Sequence, residues 1–397
     1  MLTTEEAARR LGVKVPTLYA YVSRGLLSSH RDPVRRGSLF ELADIEALAA
    51  RSRGGRQTAM RLATITTSVT QLDQVLGPVY RGRLATELAT GTAFEDVAEL
   101  VWSVPGDGDG DWSAPDLGPC PLAATLDRLR WALVMCGATD PLRADLRPAA
   151  VTRAARRVAA ALTEVVGPDP NAGDAGAPIA ARLAARLGAA TASSVSARGA
   201  VPTAAVNAAL VLLADHELAT STVAVRVAAS VRADPYDALM AGLATLAGPL
   251  HGGASQQAYE LLVVAARDGA PRALNDTLRE QGRLPGFGHT VYQSGDPRFG
   301  ALLALAEPLL DEERRAVVHE VMELARAHDV PLPNCDLALA ALSWGTGMPP
   351  DTGRTIFAVA RVAGWTAHYL EELGERPLRF RARAVYSLDH ERDRGDG

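Results

Sequence analysis

The chain has 397 residues, 48% hydrophobic and 22% charged, so it can bury a large core and is long enough for two or three domains. Cys120, Cys136 and Cys335 are too few and scattered for a disulfide framework or a cysteine-rich metal site, and read as small buried hydrophobes. The net charge of −5 hides an asymmetry: residues 1–56 carry ten Lys/Arg against six Asp/Glu, a net +4, leaving −9 on the rest. Acidic residues near the start and no apolar run longer than that around Ala208 to Ala214 argue against a signal peptide or a membrane span, so a soluble cytoplasmic protein is expected. Ala and Leu dominate while aromatics make up 5%, which favours a mainly α fold.

Thr3-Thr4-Glu5-Glu6 fits a capping box, so a first helix is expected there, ending at Gly12. A second starts at Pro16, a good first-turn residue, and runs to Gly25. Two short helices across a tight turn make a helix-turn-helix, with Thr17, Tyr19, Tyr21 and Arg24 on or near the second helix, where they can meet phosphates or base edges. The turn-rich stretch from His30 to Gly37 adds Arg35 and Arg36, and a further helix is expected around Leu42, Ile45 and Leu48. These fifty residues resemble the winged-helix domain of MerR-type and excisionase-type DNA binders. Such a domain also serves for dimerisation or docking without DNA, and the modest charge leaves both readings open.

Arg51 to Arg56 reads as a linker. Tyr80-Arg81-Gly82 marks a turn, and Phe94 to Trp102 an amphipathic helix with Phe94, Val97, Ala98 and Val101 inward. Residues 104–121, rich in Gly, Asp and Pro, are expected to form a surface loop. The Ala- and Arg-rich stretches 148–166 and 179–192 read as solvated helices joined by a flexible connection. An apolar helix from Val206 to Leu213 then leads into Asp215-His216-Glu217, whose spacing does not suit a zinc helix. Two glycine-flanked histidines, His251 and His289, suggest two walls of one site joined by a helix.

Seven segments carry a stronger signal: Tyr80-Arg81-Gly82, Ala214 to Glu217, Gly248 to Ala254, Pro285 to His289, Asp296-Pro297-Arg298, Asn334-Cys335-Asp336 and Ile356 to Arg361. Together they closely resemble the citrate synthase family, from about Leu62 to Tyr386 and in the family's order. The resemblance implies condensation of acetyl-CoA, or another short acyl-CoA, with oxaloacetate; a preference for propionyl-CoA would make it a 2-methylcitrate synthase. It implies Asp336 as the base, His251 at the thioester oxygen, His289 at the ketone and His216 helping to hold oxaloacetate. Arg298 and Arg361 match its carboxylate-binding arginines, as forked guanidinium groups suit a dicarboxylic acid.

A third arginine, Arg381, is expected to reach the other subunit's site in a homodimer, with Arg379 or Arg383 as substitutes. Leu284, Pro285, Gly286, Phe287 and Gly288 resemble the loop receiving the CoA adenine. No tightly bound cofactor or metal is implied; acetyl-CoA is a co-substrate. The resemblance places a large domain at 57–251 and 345–397 and a small one at 252–344, after a DNA-binding-like head at 1–56. Ser255 and Gln293 depart from the family's usual asparagine and basic residue, and another usual asparagine is replaced in the Ala219-Thr220 region. His319, His328 and His368 read as surface or packing residues. The rival reading is a regulator whose body senses oxaloacetate or acyl-CoA and whose head binds duplex DNA.

Overall fold

The computed structural model describes residues 65–105, 110–167, 174, 176–188 and 200–381, together with 2–4, 7–8, 13, 15–23, 27–31 and 38–40. The chain divides into two compact units, Met1–Thr66 and Thr67–Gly397.

In the first unit, strands β1 (Leu2–Thr3), β2 (His30–Arg31) and β3 (Ser38–Phe40) form an antiparallel sheet in the order β1-β3-β2. Helix α1 (Val15–Ser23) has Pro16 in its first turn, where a missing N–H is tolerated. Leu18 and Phe40 are fully buried with Ala7, Ala8 and Leu27. Thr17 and Tyr19 are exposed on α1 and Tyr21 is half-buried. The Tyr19 hydroxyl lies 3.5 Å from Thr4 Oγ1, so it has a role inside the domain as well. Arg24, Arg35 and Arg36, the helix expected around Ile45 and the linker 51–56 lie outside the described residues.

The second unit opens with a meander, β4 (Thr70–Asp73), β5 (Gly77–Tyr80) and β6 (Arg83–Leu84). Asp73 Oδ1 accepts from the Val75 and Leu76 amides and so shapes the first turn. Then come α2 (Ala85–Leu88), α3 (Phe94–Trp102), α4 (Thr125–Ala138), α5 (Pro148–Glu164), α6 (Ile179–Gly188), α7 (Ala200–Leu213), α8 (Thr220–Ser230) and α9 (Pro235–Leu246). They are followed by α10 (Ala254–Asp268), α11 (Ala270–Gln281), α12 (Pro297–Ala306), α13 (Glu312–Ala327), α14 (Cys335–Thr346) and α15 (Thr352–Leu373). Among the described residues no helix is long and apolar enough to cross a membrane.

Helix α15 is the axis: it is buried from Thr355 to Tyr369 and packs against α3, α5, α7, α8 and α9. A second apolar core gathers Leu262, Leu274, Val321 and Leu337 from α10, α11, α13 and α14. Two helices, α10 and α11, therefore lie between the glycine-flanked histidines where one was expected.

The Ala/Arg helices also differ from expectation. α5 and α6 are core elements, because alanine lets helices approach closely and their arginines find acids on other segments. Arg156 bonds Glu99 with two nitrogens at 2.7 and 2.9 Å, and Arg182 and Arg186 share Glu164. The loop before α4 is pinned by Trp112, which stacks on Trp102 at 5.7 Å. Cys136 and Cys335 are buried as expected, whereas Cys120 is half-exposed.

Removing one member of a buried pair strands the other's charge. Glu99→Ala is expected to destabilise the protein by about 3–5 kcal/mol. Glu99→Leu combined with Arg156→Met should recover much of that loss in thermal melting.

Candidate active site

Every side chain proposed for catalysis from the sequence lines one cavity of about 1020 Å³, which opens among α8, α9, α10, α12, α14 and α15 and the segment after α7. That is ample for two small substrates together. His216, Arg298 and Arg361 share its wall with His251, His289 and Asp336.

The ends of the elements set these positions. Asp296 caps α12 by accepting the Arg298 amide, and grips the Arg298 guanidinium through Nε and Nη2 at 2.9 Å each. Its Oδ2 also accepts the Cys335 amide at 3.0 Å, so one buried carboxylate fastens the starts of both α12 and α14. Asn334 caps α14 through the Asp336 amide and donates from Nδ2 to the Gly288 carbonyl at 2.7 Å, joining the start of the Asp336 helix to the loop of His289. Within that loop Gly286 has φ +81°, and a Cβ there would lie 2.9 Å from that of Leu337. Only glycine fits both demands. Leu284, Pro285 and Gly286 are buried; the Phe287 and Gly288 amides donate to the Leu284 and Leu332 carbonyls, which stiffens the loop.

Proton bookkeeping assigns His289. Its Nδ1 accepts from the Val291 and Tyr292 amides at 3.0 and 3.2 Å, so a neutral ring carries its proton on Nε2. That nitrogen lies 3.3 Å from Arg298 Nη2, another donor. Two donors facing each other call for an oxygen acceptor within reach of both. Burial, reinforced by Arg298, lowers the His289 pKa to about 4, so the ring is neutral at pH 7.

His251 is held from the other side. Trp365 Nε1 donates to Ser221 Oγ at 3.3 Å, and Ser221 Oγ lies 2.9 Å from His251 Nε2. With the serine hydroxyl donating onward, His251 keeps its proton on Nδ1. Burial and then Arg361 lower this pKa to about 4 as well, making a neutral donor. His216 Nε2 meets the Tyr292 hydroxyl at 3.1 Å, and burial followed by Arg298 and Arg361 holds its pKa well below the usual histidine value.

Asp336 moves in the opposite direction. Desolvation raises its pKa to about 6 despite the helix N-terminus and the opposing pull of Arg298. Arg361 is 1% exposed; Nε donates to the Leu213 carbonyl, and Nη1 has no hydrogen-bond partner among the described residues. Desolvation lowers its pKa. Arg381 is exposed and is not among the residues lining this cavity, while Arg379 is paired with Glu372 at 2.7 and 2.5 Å.

From the sequence, Trp365 has no reading and His368 counts only as a surface or packing residue. Yet Arg361, Trp365, His368 and Glu372 follow at spacings of four, three and four, which place them on one face of α15. His368 is fully buried in a polar network, while His319 is exposed and paired with Glu307.

The wall thus offers a carboxylate of raised proton affinity, two neutral imidazole donors and buried guanidinium groups, a set suited to removing a carbon acid's proton beside a bound polyanion. Residues 117–383 match the citrate synthase C-terminal domain family, and residues 1–53 match a helix-turn-helix domain family. The chain belongs to the citrate synthase family.

It is 35% identical over 194 residues to a citrate synthase of Saccharolobus solfataricus, covering 46% of this chain and 51% of that protein. It is 32% identical over 189 residues to 2-methylcitrate synthase 1 of Corynebacterium glutamicum, covering 46% and 49%. The chain spans about half the length of the curated relatives it matches. Two solved structures share the fold at a TM-score of 0.65. Citrate synthase from Thermotoga maritima is 23% identical, with 86% of this chain and 100% of that one covered. The ternary complex of carboxymethyl coenzyme A and oxaloacetate with the Thermoplasma acidophilum enzyme is 22% identical, with 87% and 98% covered.

A carboxyl whose pKa is about 6 in the folded chain and near 4 unfolded opposes folding once ionised. Asp336→Asn should therefore melt above wild type at about pH 7.5. The gap should narrow as pH falls through about 6 and close near about 4, as both folded and unfolded carboxyls become protonated. Equal melting temperatures at the higher pH would contradict this environment for Asp336.

Proposed function

We propose that this chain condenses a short acyl-CoA, acetyl-CoA first among them, with oxaloacetate and water to give citrate and CoA. The observation that carries the reading is the convergence of Asp336, His251 and His289 on one cavity wall beside Arg361 Nη1, which has no hydrogen-bond partner among the described residues. Asp336 takes a proton from the acyl carbon next to the thioester while His251 Nδ1–H donates to the thioester oxygen, giving an enol or enolate. Its carbon attacks the oxaloacetate ketone, which His289 Nε2–H and Arg298 polarise as negative charge develops on oxygen. Water then hydrolyses the resulting thioester and releases CoA.

Arg361 and Arg298 hold the substrate carboxylates, with His216 beside them, and the Leu284 to Gly288 loop receives the CoA end. The Thermoplasma structure, with its CoA analogue and oxaloacetate, supports this pair of ligands. The Corynebacterium relative supports propionyl-CoA as an alternative acyl donor. A large domain of 57–251 and 345–397 closes on a small one of 252–344, which keeps water from the activated thioester until both substrates are present. The second apolar core, drawn entirely from residues between Ala258 and Trp344, supports the small domain. In a homodimer, Arg381 of the partner subunit completes the carboxylate set.

The test is oxaloacetate-dependent thiol release from acetyl-CoA and propionyl-CoA. Asp336→Ala should lower kcat by about 10²–10⁴-fold. Since the base must be ionised, kcat/KM for acyl-CoA should fall about tenfold per pH unit below about 6. His251 and His289 remain neutral until about pH 4, so they should add no inflection above that value. No thiol release from either thioester would reject the reading.

The helix-turn-helix match and the exposed Thr17 and Tyr19 on α1 favour a second function, duplex DNA binding governed by the metabolite-binding body. It predicts retention on duplex DNA that weakens steeply with salt and shifts with oxaloacetate. Absence of retention at low salt removes it.

A further inference from the structure

We infer that His368 is a positioning residue for the oxaloacetate subsite, acting through Asp215 on the turn that presents His216. The inference rests on the proposed function for the identity of the ligand, but its structural content does not.

His368 is fully buried between two buried charges. Arg226 Nη1, always a donor, lies 2.9 Å from Nδ1, and Asp215 Oδ2 lies 3.3 Å from Nε2. Nδ1 must therefore accept, which puts the ring proton on Nε2, pointing at Asp215. The imidazole passes the hold of the Arg226 guanidinium on to the Asp215 carboxylate.

Asp215 is where that hold becomes geometry. Its Oδ2 also accepts the Glu217 amide at 3.0 Å, folding the backbone around His216, and Glu217 adopts φ +53°, a left-handed conformation uncommon for a side-chain-bearing residue. The turn is enclosed by further contacts. The Gly364 amide donates to the Ala214 carbonyl at 2.9 Å, and a Cβ on Gly364 would lie 2.2 Å from Asp215 Oδ1. The Tyr80 hydroxyl reaches the Asp215 carbonyl at 3.2 Å. A strained turn persists only when its surroundings over-determine it, and the bond from His368 helps to fix the carboxylate that folds it.

The far end of the network is anchored. Arg226 donates from Nε to Glu372 at 3.0 Å and from Nη1 to Glu371 at 2.9 Å. Glu372 is itself fully buried and pairs with Arg379; Glu371 accepts from the Ser68 amide and hydroxyl. Arg226 thus cannot swing to follow Asp215, and the imidazole is needed to span the gap.

His368→Gln retains one acceptor and one donor at about the separation of the two ring nitrogens, whereas His368→Leu retains neither. In the Leu variant the KM for oxaloacetate should rise about tenfold or more, the effect of leaving a buried charge unpaired, with the acyl-CoA KM little changed. The Gln variant should recover most of that rise. Equal losses for both substrates, or no rescue by Gln, would indicate a general structural role and overturn the inference. Side-chain NMR of 15N-histidine-labelled protein without substrates supplies a readout independent of turnover. His216 ring signals should move in His368→Leu and return toward wild type in His368→Gln. Folded variants with unmoved His216 signals would overturn the inference even if the enzyme is active; moved and rescued signals would sustain the positioning role even if wild type releases no thiol.

Discussion

Arg361 lies on a largely buried helix with one guanidinium nitrogen bonded to the Leu213 carbonyl and another bonded to no described residue. An isolated buried cation is among the least favourable features a fold can hold, so the structure around it is best understood as its support. Asp215 supplies negative charge nearby: burial alone would raise its pKa, but His368, with Arg361 assisting, keeps it low. The face of Phe357 lies 4.6 Å from the guanidinium carbon. These contacts hold the charge without extinguishing it. Burial lowers the proton affinity of all three histidines on the cavity wall, and the field of the guanidinium groups adds to it, from Arg361 at His251, from Arg298 at His289 and from both at His216.

That field explains why residues of similar type serve different ends. His251 and His289 are both neutral, but opposite nitrogens carry their protons, because backbone amides claim Nδ1 of one and a serine hydroxyl addresses Nε2 of the other. Asp296 and Asp336 diverge in the same way. Asp296 is bonded to Arg298 and to two amides, and their pull outweighs burial to leave it ionised; Asp336 faces the cavity and gains proton affinity from desolvation. Environment separates an ionised, bonded carboxylate from one of raised proton affinity forty positions away.

Much of the site was legible because its backbone demands are severe. Gly286 tolerates no side chain, and histidines next to such glycines stand out from a helical background. The amphipathic helix at Phe94 was legible too, since its apolar period survives in one segment. The burial of α5 and α6 was not, because alanine gives no contrast between faces and the acids that satisfy their arginines include Glu99, 57 positions from Arg156. Strands of two to four residues are too short to show alternation, so both small sheets escaped notice. Trp365 and His368 were readable only in combination with Arg361; alone, each resembles ordinary core.

Ser255 shows how a departure from a family's usual residue can be absorbed by packing. It is 3% exposed at the start of α10, and a Cβ on Gly353 would lie 2.5 Å from its hydroxyl. A small residue on each helix lets α10 and α15 cross closely, and a longer side chain at 255 would have to displace one of them. Gln256, next along α10, accepts from Arg354 on α15 at 3.0 Å and ties the same crossing laterally. The substitution therefore acts where the helix bearing the His251 loop meets the helix bearing Arg361. Its effect falls on the spacing between the two halves of the cavity, while His251, His289 and Asp336 keep their own supports.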